Sequence, residues 1–154
     1  MILRVMIVED EDMIRNGLVK TLPWADMGCT VIGSAGDGKS GLEQIIERRP
    51  DVVITDIRMP EMDGFEMLER ALAVYRFHII IFTSYAEFDY AQKAISIHAY
   101  DYLLKPLDEK RLAELLTRIR ETEEPEEQLE TPGSFSAEEL LKRLAYTDEY
   151  VETA

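Results

Sequence analysis

Short apolar runs alternate with amphipathic stretches five times over the first 120 residues of the chain. The apolar runs predict strands at about residues 2–8, 29–33, 52–55, 79–82 and 101–104. Between them, apolar residues recur three and four positions apart, which predicts helices at about 12–22, 38–49, 65–75 and 87–97, with a last helix after Asp108. This alternation is typical of an α/β protein built on a parallel sheet with helices on both faces.

Polar residues at the starts of two of these stretches support their assignment as helices. Asp37 and Asp108 each precede a helical stretch and are expected to serve as N-caps, because a carboxylate accepts from the free amides of the first turn. Within the second helix, Leu42, Ile45 and Ile46 are expected to face the core.

Chemically distinctive residues stand where the predicted strands end. Glu9 and Asp10 follow the first strand, Asp56 follows the third, Thr83 ends the fourth, and Lys105 follows the fifth. In an open parallel sheet, ligands bind outside the carboxyl ends of the strands. The five side chains are therefore expected to meet at one edge of the sheet.

Such a group can bind a cation and a phosphoryl group. Three carboxylates are the hard oxygen donors that Mg²⁺ prefers, and Mg²⁺ keeps waters that a phosphate can replace. Lys105 can balance charge and hold a phosphoryl oxygen, while Thr83 brings a hydroxyl. The set supports phosphoryl transfer onto a carboxylate.

The distribution of charge along the chain excludes one class of function. The net charge of −14 is uneven, with 20 acids and 15 bases in residues 1–120 but 11 acids and 2 bases in 121–154. No basic patch is present to neutralise DNA phosphates, so nucleic-acid binding by this chain is not expected.

The single cysteine, Cys29, excludes an internal disulfide and is expected to be buried. No signal peptide or membrane span is visible, which predicts a cytoplasmic protein without membrane contact.

Residues 122–154 differ from the body and are expected to form an acidic linker or tail. Glutamates surround Pro125, which should interrupt any continuation of the last helix. Ser136 and Glu139 then form a capping-box pattern that predicts a short amphipathic helix at 137–147. Two units are thus expected, a domain at 1–121 and the tail.

A rival motif lies between Gly33 and Ser40, which matches the G-x-x-x-x-G-K-S pattern of a phosphate-binding P-loop. The alternative function is therefore a nucleotide-binding protein that uses Lys39 and Ser40. Asp37 inside the loop would repel phosphates, and the obvious Mg²⁺ acids already belong to another set. The preferred interpretation is a glycine-rich turn in which Asp37 caps a helix and Lys39 is exposed.

Several runs resemble one known family. They are Val8-Glu9-Asp10-Glu11, Ile54-Thr55-Asp56-Ile57, Met62-Asp63-Gly64, Phe82-Thr83 and Leu104-Lys105-Pro106. Over about residues 1–121 the chain resembles the receiver domain of bacterial two-component response regulators. The resemblance implies a flavodoxin-like, doubly wound sheet of five parallel strands in the order 2-1-3-4-5.

The resemblance also implies roles for named residues. Asp56 would be the phosphoacceptor, phosphorylated by a sensor histidine kinase. Mg²⁺ would be held by Glu9, Asp10, Asp56 and the main-chain carbonyl of Arg58. Lys105 and Thr83 would contact the phosphoryl group, and Tyr102 would change position together with Thr83. Such a domain is not an enzyme beyond catalysing its own phosphorylation and dephosphorylation.

A narrower resemblance concerns the output. The runs Asn16-Gly17-Leu18, Pro23-Trp24, Tyr85-Ala86-Glu87-Phe88 and Ala99-Tyr100-Asp101-Tyr102 resemble the subgroup that carries a C-terminal AraC-type DNA-binding domain. That domain is absent, so the chain is expected to be a receiver fragment or a stand-alone receiver. DNA would be bound only through the missing domain, and phosphorylation would favour a homodimer through the fourth helix, fifth strand and fifth helix. His98 stands where receivers often have glycine.

Overall fold

The computed structural model describes residues 1–122 and 140–141, and five strands alternate with five helices over the first of these ranges. In chain order the elements are β1 (Leu3–Val8), α1 (Asp12–Thr21), β2 (Cys29–Ala35), α2 (Gly38–Arg48), β3 (Val52–Thr55), α3 (Gly64–Leu72), β4 (His78–Thr83), α4 (Phe88–Ser96), β5 (Asp101–Leu104) and α5 (Glu109–Glu121). The predicted alternation is therefore confirmed.

The five strands form one parallel sheet in the order β2-β1-β3-β4-β5, as the resemblance implied. The central strands β3 and β4 are buried along their whole length. Burial on both faces explains why the middle of each strand is a continuous apolar run rather than an alternating pattern. The order reverses direction beside β1 and β3, which brings their carboxyl ends together at the switch point of the sheet.

Two hydrophobic cores lie on opposite faces of the sheet. One joins α2, α3 and α4 to the sheet through residues such as Ile45, Leu68 and Ala94. The other joins α1 and α5 to the opposite face, with Leu18 and Leu116 among its members. Each helix contributes one apolar stripe, so both faces of the sheet are closed and only its edges remain open.

Three helices begin with an aspartate cap. The carboxylate of Asp37 accepts from the amide of Ser40, and Asp108 accepts in the same way from Arg111, so both predicted caps are confirmed. Asp63 caps α3 by accepting from the amide of Glu66. Each bond satisfies an amide that the first helical turn leaves free.

Some details of the sequence prediction were wrong. Ile46 is 37% exposed instead of facing the core. β2 continues to Ala35 because its last residues pair with β1. α3 ends at Leu72 rather than at Tyr75, whose hydroxyl instead donates to the carbonyl of Pro50 at 2.8 Å. These differences arise from tertiary contacts that local patterns do not encode.

One other single-residue prediction is confirmed, and a second residue has an unusual backbone conformation. Cys29 is buried, and burial raises the pKa of its thiol to about 11, so the thiolate is scarce near neutrality. His98 follows α4 with a φ of 59°, the left-handed conformation that glycine usually supplies at this place. Histidine is among the residues that tolerate this conformation better than most.

Little of the tail is described. Leu140 and Leu141 are helical, and Leu140 is 7% exposed within the same core as α2, α3 and α4. The other residues of the predicted helix at 137–147, and Pro125, lie outside the described residues. Among the helices that the structure describes, none is long and apolar enough to cross a bilayer.

His78 predicts a pH dependence of stability. It begins β4 with 7% exposure, and burial lowers its pKa although the Asp51 carboxylate partly opposes this. The unfolded histidine titrates near its ordinary pKa of about 6.5. Below that pH His78 binds a proton in the unfolded chain but stays neutral in the folded protein, so the free energy of unfolding falls as the pH falls. We expect His78→Gln to remove this contribution when urea unfolding is followed from about pH 7 to pH 5.

The exposed His98 provides the control. His98→Asn keeps a residue that accepts the left-handed conformation and should leave the wild-type pH dependence intact. A His78→Gln protein with the same slope as wild type would contradict this assignment.

Candidate functional site

The carboxyl edge of the sheet gathers the acidic residues. β1 ends at Val8, so Glu9 and Asp10 emerge from it, and Asp56 emerges from the neighbouring β3. One carboxylate oxygen from each residue lies within 4.8 Å of the other two. Glu9 and Asp56 are buried, whereas Asp10 is accessible to solvent. The structure therefore brings together the three acids that the strand ends predicted.

Lys105 lies between two of these acids. It follows β5, and its amide donates to the carbonyl of Thr83. Its Nζ lies 2.6 Å from Glu9 Oε1 and donates to Asp56 Oδ2 at 2.8 Å. The Lys105-Pro106 peptide is cis. The ammonium thus bridges the ends of β1 and β3 from the edge of the sheet.

Burial and charge act against each other on these groups. Burial raises the pKa of Glu9, and the Asp56 charge adds to this, while the close contact with the Lys105 ammonium opposes it. For Lys105, burial alone would lower the pKa, but the contacts with Asp56 and Glu9 outweigh it and raise the pKa. The lysine is therefore held in its charged form by the acids around it.

The donor set fits a divalent cation. Glu9 Oε2 accepts from the amide of Glu11 and Asp56 Oδ1 accepts from the amide of Ile57, so each carboxylate is oriented by the backbone. Glu9 Oε1 is close to the lysine but has no partner in hydrogen-bond geometry, although it is buried. With one ammonium against three carboxylates, the group has a formal charge of −2. Clustered carboxylates of this kind are stabilised by a cation such as Mg²⁺.

Arg58 lies two residues after Asp56, and its side chain extends to a neighbouring loop. Its guanidinium Cζ is 3.6 Å from the ring centroid of Tyr85. Nε donates to the hydroxyl of Tyr90 and Nη2 to Glu87, both at 2.7 Å. The structure thus gives the Arg58 side chain a role in joining loops, while metal binding by its main-chain carbonyl stays a prediction.

Thr83 and Tyr102 meet at the loop after β4. Thr83 is fully buried, and its Oγ1 accepts from the amide of Tyr85 at 3.4 Å. Tyr102 is 2% exposed, and its hydroxyl donates to the carbonyl of Tyr85. Burial raises the pKa of Tyr102, so the hydroxyl keeps its proton. The aromatic ring that was expected to move inward is therefore already buried in this conformation.

Sequence reasoning missed the set of contacts around Arg58. Tyr85 and Glu87 lie in a run that carries the narrower resemblance, and together with Tyr90 they surround the guanidinium. The available signal was that Tyr85, Glu87 and Tyr90 lie within six residues of one another. A carboxylate and two tyrosine rings can together bind an arginine side chain.

The rival P-loop region has a different structure from a phosphate cradle. Asp37 accepts from the amide of Ser40, which is therefore engaged within the helix start. Lys39 is exposed. Gly38 is buried against the carbonyl of Met62, so the loop is packed against the body. The glycine-rich turn with a capping aspartate is confirmed, and the nucleotide-binding alternative has no support.

The fold and the site together define a flavodoxin-like α/β domain with an acidic centre at its switch point. The family model described as "Response regulator receiver domain" matches residues 5–117. A solved structure, the REC domain of the response regulator AraT from Geobacillus stearothermophilus, has a TM-score of 0.71 and 38% identity. That likeness covers 79% of this chain and 95% of the solved chain.

Two curated relatives extend the similarity. The transcriptional regulatory protein HptR of Staphylococcus aureus is 36% identical over 151 residues, which cover 96% of this chain and 60% of HptR. A response regulatory protein of Staphylococcus epidermidis is 36% identical over 150 residues, which cover 96% of this chain and 59% of that protein. The chain spans about three fifths of the length of these relatives. It belongs to the response regulator receiver domain family.

Proposed function

We propose that the chain accepts a phosphoryl group on Asp56 from a sensor histidine kinase. The observation that carries this proposal is the position of Lys105, whose Nζ contacts both Glu9 and Asp56 among three clustered carboxylates. A lysine in this place partly neutralises an acid cluster that would otherwise repel a phosphodonor, and it sets a positive charge beside Asp56 Oδ2.

The chemistry is an exchange at phosphorus. An oxygen of Asp56 forms a bond to the phosphorus of the donor as the bond to the donor's leaving group breaks, which makes an acyl phosphate. Lys105 stabilises the negative charge on the phosphoryl oxygens. Glu9, Asp10, Asp56 and the carbonyl of Arg58 would hold Mg²⁺. When bound, Mg²⁺ supplies charge neutralisation at the phosphoryl oxygens.

The proposed output is control of transcription. Thr83 would respond to the phosphoryl group, and the surface formed by α4, β5 and α5 would change and favour a homodimer. HptR is named a transcriptional regulatory protein and this chain covers 60% of it, which supports an output on transcription through a part of the protein other than the receiver. The receiver would comprise residues 1–121, with 122–154 as the acidic connection. Its only catalytic activity would be on its own phosphoryl group.

The test is intact mass after incubation with acetyl phosphate and Mg²⁺. We expect one added phosphoryl group on the wild-type chain and none on Asp56→Asn, because the amide that replaces the carboxylate is a poor nucleophile. Lys39→Ala is the matched control, since it removes an exposed lysine from the rival loop. Loss of the adduct in Lys39→Ala with retention in Asp56→Asn would reverse the assignment.

A further inference from the structure

We propose that the Arg58 guanidinium is a clamp that holds the loop after β4 in place and thereby keeps Tyr102 buried before any phosphorylation. The inference concerns a positioning residue and deepens the proposed function, on which it rests. The clamp consists of Arg58, Tyr85, Glu87 and Tyr90. It joins the loop that follows Asp56 to the loop and first turn at the start of α4.

Arg58 makes three different contacts at once. The guanidinium lies over the ring of Tyr85, with 3.6 Å between Cζ and the ring centroid. Two of its nitrogens donate to Tyr90 and Glu87, each at 2.7 Å. The Arg58 and Glu87 side chains are 46% and 49% exposed, so their ion pair alone would contribute little. The geometry is specific because a planar guanidinium can stack and donate simultaneously.

Tyr85 connects the clamp to Tyr102. Its ring lies under Arg58, while its carbonyl accepts the hydrogen bond of the Tyr102 hydroxyl. The amide of the same residue donates to Thr83 Oγ1. The side chain of Tyr85 therefore contacts Arg58, while its backbone is hydrogen-bonded to both Thr83 and Tyr102. Movement of Tyr85 would remove the acceptor that satisfies the buried hydroxyl of Tyr102, which is costly for a buried polar group.

A shallow cavity of about 390 Å³ lies beside Arg58, lined by residues of the loop after β3 and by Tyr90 of α4. The arginine side chain spans the space between these elements. Its removal would therefore leave the start of α4 with fewer contacts to the phosphoacceptor loop.

It follows that the inward position of Tyr102 would already be partly populated before phosphorylation. Tyr102 is buried in this structure, with its hydroxyl bonded to the Tyr85 carbonyl, and the clamp would favour this inward position over an outward one. Phosphorylation then has a smaller change to make at this residue. A ligand shifts such an equilibrium only by its differential affinity for the two states, so a preset population alters the size of the response.

The experiment is NMR of the chain with ring-labelled tyrosine, without Mg²⁺ or phosphodonor, with Tyr102→Phe used to assign the Tyr102 signal. We expect Arg58→Ala to move this signal towards that of an exposed ring, as the inward-to-outward ratio falls by about five- to thirtyfold. Arg58→Lys should restore part of the shift, because an ammonium can reach an acceptor but cannot stack and donate in several directions. Arg70→Ala is the matched control, since Arg70 is an exposed arginine paired with Glu66 on α3.

A double-mutant comparison separates the clamp from general loosening of the domain. Tyr85→Ala should produce the same Tyr102 shift as Arg58→Ala, and the double variant should add nothing further, because both act through one contact. Additive shifts, or a Tyr102 signal that does not move in Arg58→Ala, would overturn the proposal. The spectra are recorded without phosphodonor, so this test does not depend on phosphorylation of Asp56. The NMR result can contradict the clamp while the mass measurement supports phosphorylation of Asp56, and the two results can also fall the other way round.

Discussion

Lys105→Ala is expected to slow phosphorylation of the chain by acetyl phosphate by about 10²-fold, the loss that follows removal of one preorganised donor from a developing negative charge. The lysine contacts both Glu9 and Asp56, so it also competes with a bound cation for the same carboxylates. We therefore expect Mg²⁺ affinity to be unchanged or higher in this variant. Phosphorylation rates from intact mass at saturating Mg²⁺, together with an NMR titration of Mg²⁺, measure the two effects separately.

The opposed directions of the two effects make this prediction specific. A variant that had merely lost its structure would lose both phosphorylation and Mg²⁺ binding. Lys110→Ala, which removes an exposed lysine from the first turn of α5, should behave as wild type in both measurements. Normal phosphorylation of Lys105→Ala would show that the ammonium has no part in the transfer.

Gly64→Ala is expected to damage both stability and phosphorylation. Gly64 begins α3 and its amide donates to the carbonyl of Ile57 at 2.7 Å. A Cβ at this position would overlap the carbonyl oxygen of Asp56 and lie 3.1 Å from Ile57 Cα. Because the obstacle is backbone, the loop that follows Asp56 must move. We expect the free energy of unfolding to fall by about 1–3 kcal/mol and phosphorylation to slow by about 10²-fold.

The matched control is another glycine in a helix. Gly17 lies in α1 and an added Cβ would meet no heavy atom within 4 Å. Gly17→Ala should therefore stabilise the domain by about 0.5–1 kcal/mol, since glycine costs that much relative to alanine within a helix. Urea unfolding of both variants and their phosphorylation rates would test this pair. A Gly64→Ala chain with wild-type stability and rate would contradict the close approach.

Much of the fold was predictable because the local signals agree with the tertiary structure. The apolar runs that became β3 and β4 are fully buried, so nothing in their surroundings overrode the pattern. The strand order came from the family resemblance, because periodicity within a strand says nothing about its neighbours. The convergence of Glu9, Asp56 and Lys105 followed from one topological rule about where parallel strands end.

What escaped prediction depends on contacts between distant segments. The clamp joins Arg58 to residues about 30 positions later, and no local period marks such a pair. Ile46 fits an inward helical spacing but faces solvent, since the packing of α2 against the sheet determines which edge of its apolar stripe is covered. The resemblance indicated Tyr102 as an aromatic that moves together with Thr83, but its buried position could be known only from the structure.

The most direct test of the central claim identifies the residue that carries the phosphoryl group. The chain would be phosphorylated with acetyl phosphate and Mg²⁺, reduced with sodium borohydride, and mapped by peptide mass spectrometry. Reduction of an acyl phosphate releases phosphate and converts an aspartate into homoserine. We predict homoserine at position 56 in the phosphorylated sample alone. Reduction at Glu9 or Asp10 instead, or a phosphoryl group that resists borohydride, would contradict the assignment of Asp56.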